Sequence, residues 1–66
     1  MCQVSVVVSR NGHQEKIMEN VALLEVEPNG IRISTLFEEP RLVAGARLDK
    51  IDFLNGTVIL QSDQQE

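Results

Sequence analysis

Three Asn-Gly pairs punctuate a chain of 66 residues, at Asn11-Gly12, Asn29-Gly30 and Asn55-Gly56. These two residue types most readily accept the positive φ values of a type I′ turn, whose twist matches that of a β-hairpin. Each pair stands between runs in which apolar and polar residues alternate, the pattern of half-buried strands. So short a chain, reversed three times in this way, has little room for anything but strands. The expected class is all-β.

The first hairpin joins residues 2–10 to 13–18. A two-residue turn sets Arg10 opposite His13 and, counting back, Val6 opposite Ile17. Successive strand side chains point to opposite faces. Cys2, Val4, Val6, Val8, Ile17 and Val21 then share one face, and Val7 and Met18 lie on the other, a candidate contact surface. Alternation continues through 21–27 and 31–37, grouping Phe37 with Ile31 and Ile33. Between those runs two turns compete. One is a type I turn over 27–30 with Pro28 second; the other is a tighter loop, which the register of Ile31 and Ile33 favours. A short strand at 41–44 ends at Gly45, a bulge or corner. The last hairpin pairs 46–54 with 57–61, setting Phe53 opposite Val58 and Ile51 opposite Leu60. Six or seven short strands of this kind close most economically into a small antiparallel barrel, SH3-like or OB-like. Residues 1–61 make one domain and 62–66 a polar tail.

A core this small is marginal below roughly 70–80 residues and usually gains support from a disulfide, a metal or a partner subunit. One cysteine excludes an internal disulfide. A metal, dimerisation or tight packing remain. The formal charge of −4, with no Trp or Tyr and only two Phe, disfavours nucleic acid, whose binding rests on Lys, Arg and stacking aromatics. No segment approaches the ~20 apolar residues of a membrane span. The opening apolar run is too short, and lacks the basic leader, for a secretory signal. A soluble cytoplasmic protein is expected. No Ser/His/Asp grouping, phosphate-cradling loop or Cys-x-x-Cys pair occurs, so catalysis is not expected.

The feature that carries chemistry is Met1-Cys2. A free cysteine is most often a small buried hydrophobe. This one lies at the terminus beside the α-amino group, which favours the thiolate that binds metals. If Met1 is removed, the Cys2 amine and sulfur form one five-membered chelate. If Met1 stays, its amine, the Cys2 amide nitrogen and the Cys2 sulfur form two fused rings. Such N/S donors suit the planar geometry of Ni(II) and Cu(II), and Zn(II) more usually takes several Cys and His ligands. Two chains about a two-fold axis complete four positions, because such an interface brings the same residue together twice. One metal per homodimer, held by both Cys2 thiolates, is the simplest closed arrangement. His13 lies about eight residues along the hairpin, roughly 26 Å away, and cannot join Cys2 within one chain. Met18 reads as core.

With these residues in view, the chain resembles the CooT family, small nickel-binding proteins associated with carbon monoxide dehydrogenase maturation. The resemblance rests on Met1-Cys2, a turn near Gly12, and Met18-Glu19-Asn20-Val21 leading to Leu24 and Glu27. It continues through Gly30-Ile31, Leu36-Phe37, Gly45, Ile51-Asp52 and Ile59-Leu60. It implies a homodimer binding Ni(II) at the subunit interface through Cys2, with backbone nitrogen of the terminus, and delivering or storing nickel for a maturation partner. Two rivals stand beside this reading. One is a protein-interaction barrel in which Cys2 is incidental; the other is an RNA-binding barrel, which the charge disfavours.

Overall fold

Asn11 and Gly12 hold φ of 54° and 81°, and they turn the chain through the two-residue loop that their types favour. They join β1 (Ser5–Arg10) to β2 (His13–Met18), with Arg10 paired to His13 as expected. The structure is a computed structural model that describes residues 3–62. The chain continues as β3 (Val21–Glu27), β4 (Gly30–Thr35), β5 (Arg41–Ala44), β6 (Ala46–Asp52) and β7 (Thr57–Ser62). No helix occurs among the described residues, and the all-β expectation holds.

The seven strands form two sheets, ordered β2-β1-β7-β6 and β3-β4-β5. They do not pair into one closed ring. The chain passes between the sheets at two corners. At one, the Val21 N–H donates to the Val4 carbonyl at 2.9 Å; at the other, the Gly45 N–H donates to the Asn29 carbonyl at 3.0 Å. Every pairing is antiparallel except β1 with β7, which is parallel. Four antiparallel pairings and the two corners lie between the first strand and the seventh.

Three ladders carry a bulge, and one of these bulges and one longer turn move the register from the expected one. Val6 pairs with Met18 rather than Ile17, because the ladder slips between Val6 and Val7. A bulge puts two residues opposite one, and Ile17 is the extra residue here. Met18 is thereby carried from the expected outer face into packing against the core, beside Ile17. In the last hairpin β6 stops at Asp52, and a turn of four residues sets it opposite Thr57, so Ile51 pairs with Val58 and Phe53 does not face it. The ladder slips again between Leu48 and Lys50, where Leu48 meets Leu60. The β3–β4 loop is the alternative with proline second: Glu27 pairs with Gly30 around Pro28 and Asn29.

The core is Val6 and Val8 from β1, Ile31 and Ile33 from β4, Ala46 from β6, and Val58 and Leu60 from β7. Val4, Val21, Leu24 and Val43 pack around it. Phe37, expected to join Ile31 and Ile33, is 93% exposed, because β4 ends at Thr35 before reaching it.

Candidate functional site

The described chain begins at Gln3, and the pairings fix which end of the molecule that is. Ser5 lies beside Thr57, and Thr57 beside Asp52. In the other sheet Val21 lies beside Thr35, and Ile33 beside Arg41. One end thus gathers the start of β1, the β2–β3 corner, the β4–β5 loop and the β6–β7 turn.

The segment leading into β1 is held from both sides there. The Ser5 N–H donates to the Gly56 carbonyl at 2.9 Å, and the Val4 carbonyl accepts from Val21 at the same distance. The segment is thereby anchored between the β6–β7 turn and the start of β3 before β1 begins.

The two loops of this end share a construction. The Thr35 hydroxyl oxygen accepts from the backbone N–H of Phe37 at 3.3 Å and of Glu38 at 3.1 Å. The Asp52 carboxylate accepts from the N–H of Leu54 and of Asn55, both at 3.1 Å. In each case a side-chain oxygen satisfies the backbone two and three residues on, which ends the strand and makes a tight turn. Each turn puts two large apolar residues out into solvent. Leu36 and Phe37 are 79% and 93% exposed, and Phe53 and Leu54 are 86% and 94% exposed. Single exposed hydrophobics are ordinary; two apolar tips at one end, holding both phenylalanines of the chain, make that end a candidate contact surface. A groove of about 540 Å³ runs between the β2–β3 corner and the β4–β5 loop, lined by Met18, Leu36 and Phe37 with Glu19, Glu38, Glu39 and Arg41.

Asp52 is tied further by the Asn55 side-chain amide, which donates at 2.8 Å. That bond first, then the backbone N–H groups of Asn55 and Leu54 and the charge of Lys50, hold its carboxyl below the ordinary 3.8. A lowered carboxyl stabilises the fold above the ordinary value and stops doing so as pH falls through the lowered one. A carbon-detected NMR titration should place the Asp52 midpoint below 3.8, and the Leu54 and Asn55 amides should shift over the same range. A midpoint at or above that value would mean the turn does not persist in solution.

Met1 and Cys2, the expected metal donors, lie outside the described residues. His13 is exposed and lies at the far end of β1 from Gln3, beside a small pocket lined by Val8, Arg10, Asn11 and Glu15. Among the described residues no group of three or more His, Cys, Asp or Glu side chains is placed to hold a metal. Several carboxylates are occupied in surface pairs. Lys16 meets Glu19 at 3.0 Å, and Arg32 meets Glu27 at 3.1 Å and Glu25 at 3.9 Å. Exposed pairs of this kind contribute about 0–1 kcal/mol each. Sequence reading missed the paired apolar tips. The signals were Thr35 and Asp52, each an oxygen-bearing side chain just ahead of two apolar residues.

No curated protein matches this chain. A crystal structure described as a candidate CooT from Carboxydothermus hydrogenoformans superposes with a TM-score of 0.80, at 16% identity, over 96% of this chain and 100% of that one. At that identity the likeness speaks for the fold. The sequence model for "CO dehydrogenase accessory protein CooT" matches residues 1–61, which takes in both Met1-Cys2 and the two apolar tips. The chain belongs to the CooT family of CO dehydrogenase accessory proteins.

Proposed function

We propose that this chain is a cytoplasmic nickel carrier or store, a homodimer that binds one Ni(II) ion through Cys2 of both subunits and passes it to a nickel enzyme such as carbon monoxide dehydrogenase. The metal is cargo, and the chain itself does no catalysis. The observation that carries the reading is the end at which β1 begins. Gln3, the residue after Cys2, enters the fold at the end that also carries the two exposed apolar tips.

The donor chemistry fits a borderline-soft ion that accepts planar coordination. The thiolate of Cys2 is soft, and the terminal nitrogens, from Met1 or from Cys2 itself, are strong-field donors. A divalent ion lowers the pKa of a coordinating thiol, so the sulfur binds as thiolate at neutral pH. Two phenylalanines bring ~150–250 Å² apiece to an interface. With the two leucines they approach the ~800 Å² per partner of a standard protein–protein contact. A second copy that covers these tips would bring its own terminus to the first one by symmetry.

Native mass spectrometry of tag-free protein, given sub-stoichiometric Ni(II) and Zn(II) together, tests this in one spectrum. A dimer carrying one nickel is the expected result, and its mass tells whether Met1 remains. A monomer, or a dimer indifferent to nickel, would overturn the reading. The apolar tips would then favour a protein-interaction barrel with an incidental Cys2.

A further inference from the structure

Asn11-Gly12 and Asn55-Gly56 look interchangeable in sequence, and both glycines hold positive φ, 81° and 65°. Their surroundings differ. A Cβ added at Gly12 would meet nothing within 4 Å, whereas one added at Gly56 would stand 2.7 Å from the carbonyl oxygen of Gln3. That is well inside the ~3.3 Å at which carbon and oxygen ordinarily touch. The atom approached is backbone, so it cannot swing aside like a long side chain. The Gly56 carbonyl also accepts the Ser5 N–H at 2.9 Å. One turn residue therefore contacts the main chain at both Gln3 and Ser5, and Val21 holds the Val4 carbonyl between them.

We propose that Gly56 is a positioning residue for the metal-binding terminus. Its bare backbone lets the β6–β7 turn seat against Gln3, and that seat sets where the chain leaves the fold towards Cys2. The inference rests on the reading that Cys2 binds nickel. A shared planar site needs its donors held to within about 0.5 Å. A methylene at position 56 would push the Gln3 carbonyl by a similar amount, one residue from the sulfur.

Asparagine separates this contact from backbone strain. Asn11 and Asn20 already sit at φ of 54° and 59° in this chain, so asparagine is at ease in the turn but carries a Cβ. Tag-free Gly56→Asn and Gly12→Asn form a matched pair. Each is titrated with Ni(II) and followed by thiolate-to-nickel charge-transfer absorption. Gly12→Asn should match the unsubstituted protein. Gly56→Asn should bind about 10–100-fold more weakly, the range for residues that orient a metal ligand, with its absorption band displaced. The amide NMR signals of β3 and β4 should stay in place. If Gly56→Asn gives the affinity and band of Gly12→Asn, Gly56 does not position the site.

A second measurement needs no variant. Nickel should slow hydrogen exchange at the Ser5 and Val21 amides of the unsubstituted protein while leaving the Arg10–His13 pair unaffected. Unchanged exchange at Ser5 and Val21 would overturn the proposal even if Gly56→Asn did not fold. An unsubstituted protein that takes up no nickel would remove the nickel reading first, an outcome distinct from either of these.

Discussion

Cys2→Ser is expected to leave the fold intact and to weaken nickel binding by about a hundredfold or more. The two halves of that result have separate causes. Among the described residues the buried core runs from Val6 to Leu60, and serine differs from cysteine by a single atom. A substitution outside the core changes stability by about 0.5 kcal/mol or less, or roughly 3 °C in a domain of this size. The metal loses much more. A thiol with an ordinary pKa near ~8.5 becomes thiolate beside a divalent ion, whereas serine offers a neutral, hard oxygen. Calorimetric titration of tag-free protein beside a thermal melt would give both numbers. Equal nickel affinity in Cys2→Ser, at equal melting temperature, would leave the fold description standing and remove the metal site.

The strand plan was legible because its punctuation is local. Asn11-Gly12 makes the expected two-residue turn, and five of the seven strands begin at the residue where alternation places them: His13, Val21, Arg41, Ala46 and Thr57. The register was less legible. A bulge inserts one residue without any required residue type, so nothing at Ile17 or Asp49 announces that the ladder slips there. The ends of β4 and β6 were misread for another reason. Alternation runs on through Phe37 and Phe53, but the Thr35 and Asp52 oxygens take the backbone N–H groups that a longer strand would have given to a neighbour. Local side-chain bonds outcompeted the hydrophobic pattern, and the apolar residues were left in solvent. The division into two sheets and the β1–β7 pairing depend on how distant strands meet, which no local signal encodes.

The site divides along the same line. Met1-Cys2 stands out in the sequence as donor chemistry, and the family resemblance drawn from it agrees with the match over residues 1–61. The grip on Gln3, Val4 and Ser5 does not stand out. It joins Gly56 and Val21 to the start of the chain through backbone atoms alone. Backbone contacts leave no trace in side-chain patterning except a glycine, and this glycine already had an explanation as a turn residue.

Gly30→Ala should have the largest effect on stability, leaving the chain largely unfolded at 25 °C. Gly30 closes the β3–β4 turn against Glu27 and pairs across β4–β5 with Ala44. Its φ is +154°, a conformation that costs a residue with a side chain about 1–3 kcal/mol. The added Cβ would also fall on the carbonyl oxygen of Val43 and 3.0 Å from the Ala44 Cα. Those atoms are main chain, fixed by the pairing of Ile31 with Val43, and Ile31 is fully buried. Forcing them apart costs a further ~1–3 kcal/mol or more. Domains hold about 0.05–0.15 kcal/mol per residue, so the combined loss is comparable with all the stability a chain this short has. Gly12→Ala is the control: with open space around its Cβ it pays only the backbone term and should still melt cooperatively. Guanidinium unfolding followed by circular dichroism, with an amide NMR spectrum of each variant, distinguishes them. Were Gly30→Ala to unfold at the same midpoint as Gly12→Ala, β5 would have to slide freely along β4. The corner at Gly45, whose N–H is tied to the loop beside Gly30, would then not be a fixed joint between the sheets.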